Sequence, residues 1–134
     1  MSDLHIQVLM PNDKKIDDFV DRAILPGIEG DLEVLKGHTA LITQLRPGTL
    51  KVYKDNKLQS LAMHDGFVTV EDDKIIILSE CCERCKDINQ ERALAAKKRA
   101  EQRMADISNT ETDFRRAERA LKRAITRLDT LKYK

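Results

Sequence analysis

Two kinds of apolar spacing divide this chain. Up to about residue 80, apolar residues come in short runs, each stopped by a turn-forming cluster. Leu4–Leu9 puts Ile6 and Val8 on one face, and residues 20–25 form a second run ended by Pro26-Gly27. Residues 32–35 and Leu41–Leu45 follow, the latter ended by Pro47-Gly48. Residues 49–53 and 58–63 flank Lys54-Asp55-Asn56-Lys57, and residues 67–70 and 75–78 flank Glu71-Asp72-Asp73-Lys74. Both four-residue clusters read as hairpin turns. Short strands with turns at close intervals predict a β-sandwich or barrel. All five glycines and all three prolines fall in this part, and neither type occurs after Gly66.

Beyond residue 86 the period changes to that of a helix. Asp87-Ile88-Asn89-Gln90 has the form of a capping box, with Asp87 as the N-cap, and predicts a first helix over residues 88–107. Ser108-Asn109-Thr110 interrupts it. A second helix is predicted over Glu111–Leu131, capped by Thr110 or Asn109. In this helix Phe114, Ala117, Leu121, Ala124, Leu128 and Leu131 follow a 3, 4, 3, 4, 3 spacing, a heptad seam. Arg115, Arg116, Arg119, Lys122, Arg123 and Arg127 gather on the opposite side. Ala93, Ala96, Ala100, Met104 and Ile107 form the seam of the first helix, flanked by Arg92, Arg99 and Arg103. So short a break makes the two helices antiparallel neighbours. An alanine seam buries little apolar area, at about 25 cal/mol per Å², so the hairpin is expected to open at modest cost.

Charge sharpens the division. Residues 1–86 hold 11 Lys/Arg against 15 Asp/Glu, whereas residues 87–134 hold 13 against 8. The overall charge of +1 thus hides an acidic first module (1–84) and a basic tail (85–134), with different partners. The start MSDLHIQVLM has no basic, apolar leader pattern, and no apolar stretch approaches the roughly 20 residues that span a bilayer. Aromatic residues are 4% of the chain and Trp is absent, too few for a base-stacking platform. A nucleic-acid-binding module using the basic tail is nevertheless the alternative reading. No Gly-rich phosphate loop is present, so the chain is not expected to be an enzyme.

The series 25–35 (LPGIEGDLEVL), Gly37-His38-Thr39-Ala40-Leu41 and 45–50 (LRPGTL) resembles the epsilon subunit of bacterial F-type ATP synthases. The later 66–70 (GFVTV) and 116–128 (RAERALKRAITRL) fit the same family, in order and over nearly the whole chain. The resemblance implies an all-β sandwich of about ten strands followed by a C-terminal antiparallel α-helical hairpin. It implies a non-catalytic central-stalk (rotor) subunit on the cytoplasmic face of the bacterial membrane, touching the membrane through its complex. Its partners would be the gamma subunit, the c-ring subunits through a loop at residues 29–31, and the catalytic beta and alpha subunits through the tail. The tail would rise along gamma and restrain ATP hydrolysis.

Some members of the family bind a regulatory ATP on the folded hairpin, through Ile/Leu-Asp-x-x-Arg-Ala at the start of the first helix. Here the motif reads Ile88-Asn89-Gln90-Glu91-Arg92-Ala93. Arg99, Arg123 and Arg127 match further basic positions, and Glu83 matches an acidic contact. Asn89 in place of Asp is the departure. It keeps an acceptor oxygen for a base amino group but loses the charge. Arginines suit polyphosphate. No cofactor is required for the fold.

Other candidate chemistry reads as structural. Cys81, Cys82 and Cys85 lie within five residues, but structural zinc normally takes four ligands, and His5, His38 and His64 are distant in sequence. They are expected to be packing or surface thiols in a reducing setting. His38 has no nucleophile and acid arranged around it. Asp13, Asp17, Asp18 and Asp21 lack the EF-hand pattern and read as a solvated strand edge.

Overall fold

The computed structural model describes residues 3–12, 15–106, 108 and 110–133. Ten strands come first: β1 (Leu4–Leu9), β2 (Lys15–Val20), β3 (Arg22–Gly27), β4 (Gly30–Val34), β5 (Leu41–Leu45), β6 (Gly48–Lys54), β7 (Lys57–Met63), β8 (Gly66–Glu71), β9 (Lys74–Leu78) and β10 (Cys82–Arg84). A 3₁₀ turn, Cys85–Asp87, leads into α1 (Gln90–Ala105) and α2 (Glu111–Leu131). The strands hydrogen-bond in the order β10-β7-β6-β3-β5-β8-β9-β1-β2, with β4 beside β3. Only the β1–β9 pairing is parallel among those described. The strip curls over its own inner face. Lys54 Nζ reaches Asp18 at 2.8 Å and Asp21 N donates to Tyr53 O at 2.8 Å, so β2 meets the end of β6. Alternation supplies the core: Leu4, Ile6 and Val8 of β1 are buried with Leu25, Leu50, Leu61, Met63, Ile75 and Ile77. This is the expected β-sandwich followed by a helical hairpin.

Both expected hairpin turns form. Asp55-Asn56 joins β6 to β7 and Asp72-Asp73 joins β8 to β9, all four residues having positive φ between 52° and 65°. Two-residue loops of this hand match the twist of the flanking strands. Other expectations shift. Residues 20–25 are not one strand, because the chain turns at Asp21, whose Oδ2 accepts from Asp55 N at 2.8 Å. Pro26-Gly27 ends the strand from within, as the last two residues of β3, where Gly27 pairs with both Gly30 and Leu45. Of the acidic cluster, Asp17 and Asp18 lie on β2, an edge strand, as the charge pattern required. Asp17 is engaged by His5 and Gln7. Asp13 lies outside the described residues.

α2 spans its expected range. Thr110 caps it, Oγ1 accepting from Asp113 N at 3.1 Å; Asn109 lies outside the described residues. The seam holds at its alanines. Ala93, Ala100, Ala117 and Ala124 are buried, Ala96, Met104, Leu121, Leu128 and Leu131 half-buried, and Phe114 39% exposed. Ile107 is outside the described residues. The cap of α1 is not Asp87. That residue is spent on the 3₁₀ turn, closed by Ile88 N to Cys85 O at 3.1 Å, and Asn89 Oδ1 accepts from Arg92 N at 3.0 Å instead.

α2 also buries a second stripe that its heptad pattern does not reveal. Thr126 and Thr130 are 4% and 0% exposed. Thr130 Oγ1 lies 2.9 Å from Thr49 Oγ1 of β6, and Ser60 Oγ of β7 donates to Tyr133 O at 3.1 Å. The hairpin is therefore docked on the sandwich through hydroxyls rather than through a greasy plug. Water can replace such bonds, so their net worth is only about 0.5–1.5 kcal/mol each.

Candidate nucleotide site and latch

The register of two strands builds the site. β10 pairs antiparallel with β7, setting Cys82 opposite Met63 and Glu83 opposite Ala62. This carries Glu83 to His64, which follows β7, and to Arg127 on α2. Glu83 Oε1 lies 2.8 Å from His64 Nε2 and accepts from Arg127 Nε at 2.7 Å. The His64 side chain is 6% exposed, Glu83 27% and Arg127 29%. The His64 hydrogen bond, reinforced by Arg127, holds the Glu83 carboxyl far below its usual range, at about 2. It is thus ionised throughout the physiological range. Here a single oxygen ties the last strand, the β7–β8 corner and the second helix together.

Beside this latch lies a cavity of about 380 Å³, between the start of α1 and the end of α2. Glu83, Ile88, Asn89, Arg92, Ala93, Arg99 and Arg127 line it, with Asp87, Ala95 and Ala96. Seven of the eight expected nucleotide-contacting residues thus face one space. The exception is Arg123, which lines a neighbouring cavity of about 360 Å³ with His64, Cys81 and Arg119. Arg92 and Arg99 form no ion pair among the described residues, whereas Arg127 is already committed to Glu83. Asn89 also differs from expectation in use: its side-chain oxygen caps α1. The donor set fits a phosphorylated ligand. Unpaired guanidiniums present planar donor forks to phosphate, and the volume lies within the usual range for small-molecule sites, roughly 300–1,000 Å³.

Sequence spacing missed two parts of this arrangement. Asp87 lines the cavity because the 3₁₀ turn displaces it from the cap. His64 arrives through strand pairing across 19 residues, for which no local signal exists. A second feature lies on the sheet. Phe67, Leu78 and Leu9 stand side by side on β8, β9 and β1 and are 55%, 55% and 36% exposed. Ile42 on β5 is 77% exposed. Four exposed apolar residues on adjoining strands make an unusual surface for an isolated chain.

The β part and the helices match separate family models. Residues 3–85 match the ATP synthase delta/epsilon chain β-sandwich domain, and residues 86–132 match the long α-helix domain of the same chain. This chain belongs to the ATP synthase delta/epsilon family. It is an epsilon subunit of the bacterial F-type kind. The ATP synthase epsilon chain of Halalkalibacterium halodurans is 38% identical over 129 residues, covering 96% of this chain and 97% of that one. That of Bacillus velezensis is 37% identical with the same coverage. A chain in the cryo-EM structure of the Euglena gracilis mitochondrial ATP synthase (OSCP/F1/c-ring) superposes with a TM-score of 0.80 at 24% identity. The match covers 91% of this chain and 77% of that one, a likeness of fold. Among the described residues, no helix of the epsilon chain is long and apolar enough to cross a membrane.

Proposed function

We propose that this epsilon chain couples rotation of the membrane ring to ATP synthesis and restrains ATP hydrolysis through its C-terminal helices. The observation that carries the reading is the way the helices are held: an alanine seam between them, and a polar dock with one ionic latch beneath. Such an assembly comes apart without exposing a large apolar core, so a folded and an extended tail differ by only a modest free energy. The basic face of α2 then meets acidic surfaces on the catalytic subunits, charge guiding the approach. The chain has no catalytic role of its own and sits at the membrane through its complex, on the cytoplasmic side. The test is the ATPase rate of the assembled complex with and without residues 87–134. Removing them raises hydrolysis several-fold; an unchanged rate refutes inhibition by the tail.

The gamma subunit is the partner for the apolar row on β8, β9 and β1, and the loop at residues 29–31 meets the ring of c subunits. Burying the three side chains of the row against a partner is worth about 1.5–3 kcal/mol each before the costs of association. Phe67→Asp places a charge in the middle of that row. It abolishes co-purification with gamma while the thermal unfolding of the free chain stays put, since the ring is already 55% exposed. Retained co-purification would show that gamma binds elsewhere.

A regulatory ATP occupies the cavity beside the latch in this reading. Arg92 and Arg99 hold the phosphates and the alanines of α1 leave room for the base. A ligand that contacts both α1 and Arg127 of α2 binds only the folded hairpin, so it shifts the tail toward the folded, permissive state.

A further inference from the structure

The latch residues His64 and Glu83, with Cys81 beside them, also form a cluster of metal-ligating side chains. One ligand atom each from His64, Cys81 and Glu83 lies within 4.8 Å of the other two, and no other such group occurs among the described residues. The three come from firm parts of the fold. His64 follows β7, Glu83 is on β10, and His64 N donates to Cys81 O at 3.3 Å, pinning the cysteine's backbone to the same corner. The ring nitrogen that faces Glu83 is Nε2, 2.8 Å from Oε1, so an ion held with Glu83 takes that nitrogen and leaves the ring proton on Nδ1.

We propose that His64, Cys81 and Glu83 form a binding site for a divalent transition-metal ion of the zinc class. The donor set is right for such an ion: one thiolate, one imidazole and one carboxylate, with a fourth position left to water from the adjoining cavity, as in open zinc sites. Ligand separations around a tetrahedral ion are roughly 3–4 Å for bonds of about 2.0–2.3 Å. His64 Nε2 and Glu83 Oε1, 2.8 Å apart, part slightly to admit the ion. The backbone of Cys81 is held by His64 N and Ser79 Oγ, so rotation of its side chain supplies the movement. Charge also balances. Binding takes one proton from the Cys81 thiol to solvent, so a 2+ ion enters against two negative ligands and the local charge rises by one. Arg119, Lys122 and Arg123 oppose that rise and Asp65 and Glu80, lining the same cavity, offset it. The strongest local competitor is Arg127, which holds the same Glu83 oxygen. Metal and latch therefore exclude one another in part, whether or not nucleotide binds nearby.

The test is a titration of the reduced, full-length chain with Co²⁺. One equivalent produces an intense near-ultraviolet thiolate-to-cobalt band together with visible bands of a low-coordinate ion, and Zn²⁺ bleaches them. Cys81→Ser and His64→Gln each lose the thiolate band or weaken binding at least tenfold, while Cys82→Ala and Cys85→Ala keep it. Arg127→Ala tightens binding several-fold, because the competing cation is gone. Absence of the band, or its survival in Cys81→Ser, overturns the site. Unchanged affinity in Arg127→Ala removes Glu83 from the ligand set.

Discussion

Glu83→Ala frees the C-terminal helices from the sandwich. The variant removes the acceptor shared by His64 Nε2 and Arg127 Nε, at 2.8 and 2.7 Å. It leaves a guanidinium and a buried imidazole without their carboxylate. Breaking a partly buried pair from one side costs more than the pair itself contributed, because the surviving charge stays desolvated. Glu83 and Arg127 are each more than a quarter exposed, which trims the figure to roughly 2 kcal/mol. That is a large share of what holds α2 down, since the remaining dock consists of hydroxyl bonds at Thr130 and Ser60. Hydrogen exchange reads the outcome. Amides of α2 around residues 122–131 exchange tens of times faster in the variant, while those of β8 and β9 keep wild-type rates. Equal protection in both proteins would mean that the latch holds nothing.

Acid performs the same operation on the unmodified chain. Glu83 has its carboxyl lowered from 4.5 to about 2 in the folded chain, first by His64 and then by Arg127. The folded state therefore prefers the ionised form. The associated stability is fully present above 4.5, and it is lost as the pH falls through the window from 4.5 to about 2. Across neutral pH the latch is insensitive to acid, so any physiological opening of the tail must come from a competing partner or ligand, not from protonation of Glu83.

The strands with alternating apolar residues were legible because one face of each is buried. Leu4, Ile6 and Val8 mark β1 as plainly as Ile75 and Ile77 mark β9. The two strands that escaped notice are the edges, β2 and β10. An edge strand need not alternate, and β2 is acidic where it meets solvent. The heptad seam of α2 was legible, but its threonine stripe was not. Threonine inside a helix is usually a neutral filler, and its burial at Thr126 and Thr130 depends on where the sandwich happens to lie. The candidate cavity beside the latch divides in the same way. Arg92 and Arg99 share a helix flank at a seven-residue spacing, so their convergence follows from helical geometry. The distribution of Arg123 and Arg127 between two cavities follows from the docking angle of α2, which no local pattern encodes. His64 reaches Glu83 only through the β7–β10 register, and that same register creates the metal-ligating cluster.

Arg92→Ala removes most of the affinity for ATP. Arg92 lines the cavity from the first turn of α1, and neither it nor Arg99 is neutralised by a carboxylate among the described residues. A charge-assisted hydrogen bond from guanidinium to phosphate is worth about 1.5–3 kcal/mol, which corresponds to a loss of roughly ten- to a hundredfold in Kd. Arg99→Ala has a similar effect, and the double variant exceeds either one. Arg115→Ala is the control: it sits at the far end of α2, paired with Glu111 at 2.9 Å, and changes nothing. Calorimetric titration of the full chain with ATP measures all four. Asn89→Asp adds a further comparison. It retains an oxygen to cap Arg92 N while restoring the negative charge that the family motif carries at this position, so its affinity rises above that of the natural chain. Equal, weak heats for the natural chain and Arg92→Ala would end the nucleotide reading, and the tail would then be controlled by its protein partners and the Glu83 latch.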